Sequence, residues 1–385
     1  MRVSSRLPRS MESNALTQAL AQLRSAGSPL LDLTVSNPIA AGLDFPADIL
    51  REALSQPEVS AYSPDPRGLV QTRKAVAAWH GHGVQADDVV LTASTSEAYS
   101  WLFKLLADPG DEVLVPSPSY PLFDHLARLE GVAAIQIPAF HHERWHLDLG
   151  ALESACTNQT RLLIAVNPNN PTGQFLSKSE WHALTDLCAR RRLALVVDEV
   201  FADYALEPEP DGLRTALEDS NPPCPVFVLS GLSKIAALPQ VKLGWIIARG
   251  TEARELLDPL AFIADQFLSA SASAQTAAPI LLKTAPAIQA RIRERLGQNL
   301  SILDTALASH PRLSRLPVGG GWTVLLRRPA VDDDETAALR ILNEGLTLVH
   351  PGHFFDLMGD RDLVLSLLTP SELFQEGLSR ALPLA

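Results

Sequence analysis

The chain has 385 residues, 46% hydrophobic and 20% charged, which is more than one core usually serves and predicts about two domains. Its 32 basic and 44 acidic side chains leave a net charge of −12; the basic residues are scattered, which argues against a nucleic-acid or anionic-membrane surface as the main partner. Cys156, Cys188 and Cys224 form no CxxC pattern, no His cluster stands at zinc spacing, and no apolar run approaches the roughly 20 residues of a membrane span. The first eleven residues carry Arg2, Arg6 and Arg9 but no apolar core. The expectation is a soluble cytoplasmic protein in a reducing compartment, without a structural metal.

In chain order, the short apolar runs DVVLT (88–92), EVLV (112–115), RLLIAV (161–166), LALVV (193–197) and VFVL (226–229) fit buried strands. Between them SEAYSWLFKLLA (96–107), YPLFDHLARL (120–129) and SKSEWHALTDLCARRR (177–192) fit helices. Alternating strands and helices predict an α/β sheet with mainly parallel strands. Ligands of such sheets gather where strands end, so the residues after each run are the ones to read.

The first run is followed by Ser94, Thr95, Ser96 and Glu97, a Ser-x-x-Glu capping box opening a helix. Free N–H groups, the helix dipole and three hydroxyls together suit a phosphate. PSPSYP (116–121) turns the chain after the second run and places Tyr120 where it can stack on a flat ligand. NPNNPTG (167–173) gives an irregular loop offering Asn170, and Asp198, directly after four apolar residues, needs a cation or donor to be stable there. The fifth run leads to Ser233 and Lys234, with Lys242 eight residues on; a lysine near a desolvated cationic site can lose its proton and attack a carbonyl. Taken singly, each has an ordinary explanation as a cap, turn aromatic, polar loop or solvated lysine. Together they complement pyridoxal 5'-phosphate, whose phosphate needs a helix start and a cation, its ring a stacking face, its pyridine nitrogen an anion and its aldehyde a lysine.

The ordered series TASTSEA, PSYP, NPNNPTG, DEVF, SGLSK and KLGW resembles the class I/II aminotransferases, within the type I fold of pyridoxal-phosphate enzymes, from about Asn37 to the C-terminus. The resemblance implies a homodimer with a seven-stranded type of large-domain sheet at 50–285 and a small α/β domain from 1–49 and 286–385. It implies that Lys234 forms the Schiff base, Asp198 partners the pyridine nitrogen, Tyr120 stacks on the ring and Asn170 reaches the ring hydroxyl and substrate. Thr95, Ser96, Ser233 and Lys242 match phosphate-binding positions, with Ser94 beside them, and Tyr62 matches a tyrosine reaching the neighbouring subunit's phosphate.

The chain departs from that pattern at four positions. Phe201 stands where many members have a tyrosine, Gly231 where many have a phosphate-binding serine, and Lys242 replaces an arginine, losing its bidentate fork. Val364 stands where most carry the arginine that holds the substrate carboxylate. Arg361, Arg327 and Arg328 are substitutes among which spacing does not select; Asn37, Asn170 and Trp322 are further substrate candidates, and His353, Phe354 and Phe355 candidates for an apolar mouth. The expected activity is transfer of an amino group between an amino acid and a 2-oxo acid. A pyridoxal-phosphate lyase of the β-elimination type and a non-catalytic sensor remain as alternatives.

Overall fold

A computed structural model describes residues 3–8, 12–60, 62–207, 209–359 and 361–385. Its large sheet contains, in chain order, β1 (Val89–Thr92), β2 (Glu112–Ser117), β3 (Ala133–His142), β4 (Arg144–Leu147), β5 (Thr160–Val166), β6 (Ala194–Asp198), β7 (Val226–Gly231) and β8 (Gly244–Arg249). The spatial order is β1-β8-β7-β6-β5-β2-β3-β4. The run β7-β6-β5-β2-β3 is parallel, while β8 lies antiparallel to both β1 and β7, and β4 antiparallel to β3. The mainly parallel sheet is as expected, but it has eight strands where seven were anticipated. The addition is β4, returned along β3 through Glu143, whose φ of 60° makes the tight reversal.

The side-chain alternation of strands assigns each residue to one of two cores. Val89, Leu91, Leu163, Leu195, Val197, Val228 and Trp245 join one apolar cluster. Their neighbours Val90, Leu162, Ile164, Val196, Phe227, Leu229 and Ile246 join the other. Both faces are therefore dry, which explains why the central strands read as continuous apolar runs. Each buried Val or Leu contributes about 1.5–3 kcal/mol before chain entropy is charged. Helix Thr95–Leu106 covers the second face through Ala98, Leu102 and Phe103; Lys178–Arg191 covers the first through Trp181 and Leu184.

A second sheet, antiparallel, orders Ser314–Arg315, Thr323–Arg327, Asp362–Ser366 and His350–Pro351. Leu31–Asp32 pairs in parallel with Thr347–Leu348, tying the N-terminal segment to this C-terminal part. The 36-residue helix Ala272–Leu307 crosses residue 286 without a break, spanning roughly 54 Å and packing on Val70–His80 as well as Ser371–Ala381. No helix among the described residues is long and apolar enough to cross a membrane.

Candidate active site

The C-terminal ends of β5, β6 and β7 open onto a cavity of about 490 Å³. Ser94, in extended conformation, caps helix Thr95–Leu106 by accepting the Glu97 N–H at 3.3 Å. The reciprocal half of the expected capping box is absent: the Glu97 carboxylate accepts instead from the Ala93 N–H at 2.7 Å and the Ser269 hydroxyl at 2.6 Å. Glu97 thus fastens the turn before the helix. Thr95 and Ser96, the first helical residues, have N–H groups without intrahelical acceptors, and both line the cavity.

At the end of β6, Asp198 is only 8% exposed. Its Oδ2 accepts the Tyr99 hydroxyl at 2.9 Å and its Oδ1 the Val200 N–H at 3.1 Å. Burial pushes its pKa up to about 6, against the pull of those two hydrogen bonds and of Lys234. Among the described residues no ion pair within 4.0 Å satisfies this carboxylate.

Lys234 follows β7 on the short helix Leu232–Ile235, where the Tyr204 hydroxyl donates to its backbone carbonyl at 2.6 Å. Burial lowers the Lys234 pKa to about 8, opposed by the charge of Asp198. Its Nζ lies 4.6 Å from the ring centre of Trp322 and 5.2 Å from that of Phe201, two rings packed edge to face. The aromatic faces stabilise the ammonium form without neutralising it.

The asparagines of NPNNPTG divide their work. Asn167 donates to the Leu213 carbonyl and accepts from the Leu176 N–H; Asn169 donates to the Pro118 carbonyl and accepts from Thr172. Only Asn170 of the three lines the cavity. Gly173, at φ 71°, closes the loop where an added Cβ would lie 2.5 Å from the Gly320 carbonyl oxygen. Gly231 pairs with Gly244 across β7 and β8, and a Cβ on it would meet the Gly244 Cα and the Leu243 oxygen at 2.9 Å. That close approach gives the glycine at 231 its physical reason. Gly244 in turn sits against Ser94, which brings the loop carrying Lys242 beside the helix start.

The cavity therefore gathers Ser94, Thr95, Ser96, Tyr120, Asn170, Asp198, Phe201, Ser233, Lys234, Lys242 and Trp322, together with Phe355 and Val364. It does not gather Asn37, whose exposed side chain accepts the Ile39 N–H at 3.0 Å. Arg361 is also exposed and outside it; Arg327 pairs with Asp362, Arg328 with Asp332, and the His353 ring with Asp334. The expected substrate contacts Asn37 and Arg361 thus both lie outside the residues that line this cavity. Tyr62, 87% exposed, lies by a separate cavity bordered by Trp101 and Leu268. Sequence reading missed Tyr99, Thr34, Ser36, Thr323, His350 and Ser366. Tyr99 carried a signal, since it follows Thr95 by one helical turn on the face toward the sheet.

Two curated relatives and two solved structures place these features among known proteins. The chain is 29% identical over 353 residues to the alanine aminotransferase of Mycobacterium tuberculosis, covering 88% of this chain and 81% of that one. It is 27% identical over 263 residues to the glutamate-pyruvate aminotransferase AlaA of Escherichia coli, covering 66% and 64%. A Thermus thermophilus aspartate aminotransferase double mutant superposes over the whole of both chains with a TM-score of 0.85 and 26% identity. The alanine aminotransferase from Pyrococcus furiosus, at 24% identity, shares the fold, with a TM-score of 0.86 over 98% of each chain. A model of aminotransferase class I and II matches residues 27–374, and the chain belongs to that family, the transferases of amino groups.

Proposed function

We propose that the cavity binds pyridoxal 5'-phosphate and that the enzyme moves an amino group between an amino acid and a 2-oxo acid. The observation that carries this reading is a buried carboxylate without an ion-pair partner, Asp198, in one cavity with a lysine whose pKa is depressed to about 8. A protonated pyridine nitrogen fits the first and an aldehyde the second. The orphan N–H groups of Thr95 and Ser96, with the hydroxyls of Ser94 and Ser233 and the Lys242 ammonium, suit a phosphate dianion. Tyr120 offers a ring face, and Asn170 an amide for the ring hydroxyl and the substrate.

When bound, the cofactor supplies an aldehyde carbon that bonds the substrate nitrogen and a ring that takes up the electron pair released at the substrate Cα. Asp198, ionised above about pH 6, keeps the ring nitrogen protonated. Tyr99 and the Val200 N–H hold both carboxylate oxygens in place. Lys234, once deprotonated, would be the base that takes the proton from Cα and returns it two atoms further along, at the former aldehyde carbon. Its low pKa keeps a usable fraction of free amine near neutral pH. Trp322 and Phe201 exclude water from the Nζ.

The same reading includes a homodimer in which the exposed Tyr62 reaches the neighbouring site, and a cytoplasmic location suited to free Cys156, Cys188 and Cys224. It divides the chain into a large domain at 50–285 and a small domain from 1–49 and 286–385. The membership of the two main sheets supports that division: one draws on 89–249, the other on 314–366. The relatives reported above are all named aminotransferases, and the elimination alternative gains no support from them. Lys234→Ala tests the assignment. Turnover should fall by at least about 10²–10⁴-fold, the usual weight of a general base, while cofactor binding persists in part; turnover at the wild-type rate would refute the role of Lys234.

A further inference from the structure

The wall of the cavity facing Lys234 is built by the C-terminal sheet and the N-terminal segment. Val364 and Ser366, two residues apart on Asp362–Ser366, face it together. His350 stands opposite Val364 and Thr323 opposite Ser366, and Thr34 adds a hydroxyl from the N-terminal side. The hydrogens of these hydroxyls are already committed. Thr34 Oγ1 donates to Asp32 at 2.6 Å, Thr323 Oγ1 to the Pro171 carbonyl at 3.0 Å, and Ser366 Oγ to the Val35 carbonyl. What Thr34 and Thr323 turn toward a ligand is lone pairs, and Ser366 Oγ, which already accepts the Leu368 N–H at 3.1 Å, keeps one.

Among the described residues of this chain, charge is missing from this wall as well. Val364 is 1% exposed and packs with Trp145, Leu325 and Phe355. Of the neighbouring arginines, Arg327 pairs with Asp362, Arg328 and Arg340 with Asp332, and Arg315 with Asp304 and Glu207, while Arg361 is exposed to solvent. None of them lines the cavity. Burial lowers the pKa of His350 below the ordinary histidine value, against the pull of Asp32, and so disfavours its charged form. The lysines of the cavity, Lys234 and Lys242, belong to the end that takes the aldehyde and the phosphate. The remaining donors on the substrate side are Ser36, His350 and the Asn170 amide, none with a fixed charge. A carboxylate pressed against this wall would lose its water, find no fixed cation and face oxygen lone pairs.

We propose that the amino donor this site selects carries an uncharged, hydrogen-donating group where an amino acid carries its α-carboxylate: a carboxamide or a hydroxymethyl group, as in amino-acid amides and 2-amino alcohols. This rests on the transamination reading above and narrows its substrate class. A carboxamide N–H₂ meets the lone pairs of Thr34, Thr323 and Ser366, while Val364 and Phe355 cover apolar surface. An amino acid still serves as the other partner of the exchange, held more weakly.

The test is a single-turnover comparison on the wild-type enzyme loaded with pyridoxal phosphate. L-Alanine, L-alaninamide and L-alaninol are each mixed with it, as are L-phenylalanine and its amide. Formation of pyridoxamine phosphate is followed, with rates expressed per unprotonated amine. The expected result is a rate constant per concentration at least ~10-fold higher for the amide or alcohol than for the matched acid, the factor of one 1.4 kcal/mol step. Acids that react as fast as their amides, or faster, would overturn the proposal while leaving transamination intact. Failure of all five compounds to convert the cofactor would overturn the transamination reading and this one with it. Val364→Arg should reverse the preference toward the acid. Should that chain not fold, Thr323→Val provides the same readout: the amide-to-acid ratio falls, and an unchanged ratio contradicts the role given to this wall.

Discussion

Tyr99→Phe removes one hydroxyl from a site where the surrounding packing is otherwise unchanged. Tyr99 is 2% exposed, its ring packs edge to face on Phe123, and among the described residues its hydroxyl has one partner, Asp198 Oδ2 at 2.9 Å. A hydrogen bond to a charged group contributes about 1.5–3 kcal/mol, and one pKa unit corresponds to about 1.36 kcal/mol. Losing it should raise the Asp198 pKa, already about 6, by about one to two units. The carboxylate of the cofactor-free variant would then be largely protonated at pH 7 and unable to hold a protonated ring nitrogen. The assay is a titration of pyridoxal phosphate binding and of kcat/KM between pH 5.5 and 9, ranges chosen about the Asp198 value. Wild-type affinity should rise through about pH 6 and that of the variant through a value one to two units higher, the two curves meeting on the alkaline side. Superposable pH profiles, or a loss equal at every pH, would refute the idea that Tyr99 acts by setting the charge of Asp198.

The same group predicts a stability effect in the cofactor-free protein. Because the folded pKa of Asp198 lies above its unfolded value of 3.8, the folded state binds the extra proton between about pH 4 and 6. The stabilisation is complete below pH 4 and is lost as pH rises through about 6, a total of about 3 kcal/mol. Asp198→Asn should therefore melt higher than wild type above pH 6 without cofactor, the gap closing toward pH 4, while binding pyridoxal phosphate worse; a gap independent of pH would contradict this. Gly231→Ser would add a side chain whose Cβ lies 2.9 Å from the Gly244 Cα and the Leu243 oxygen. It should cost about 1–3 kcal/mol of stability by overpacking and lower the melting temperature, and an unchanged melting temperature would show that β7 and β8 can part there.

Much of the large sheet was legible because its strands are buried on both faces and so appear as short apolar runs. The segment Gly244–Arg249 is equally apolar, but it was read for the lysine before it, and its antiparallel insertion between β1 and β7 leaves no local trace. The hairpin Ala133–Leu147 was invisible for another reason: β3 is mostly half-buried or exposed, so neither a continuous nor a cleanly alternating pattern marks it. At the site, residues that follow apolar runs directly, such as Asp198, or within five positions, such as Lys234, could be found from order and spacing. Thr34, Thr323, His350 and Ser366 could not, since they come from segments far apart in sequence that meet only through the second sheet. Arg361 illustrates the converse, because one residue before the strand Asp362–Ser366 its side chain is already outside the cavity, whereas Val364 two positions into that strand faces it.

The most direct test of transfer as the reaction is to load the purified enzyme with pyridoxal phosphate and add an amino donor without any carbonyl acceptor. The account predicts that the bound cofactor is recovered as pyridoxamine phosphate with an equivalent of carbonyl product and no ammonia, and that a carbonyl acceptor added afterwards restores the starting spectrum. Release of ammonia with the cofactor returned unchanged would contradict it and make the enzyme a lyase.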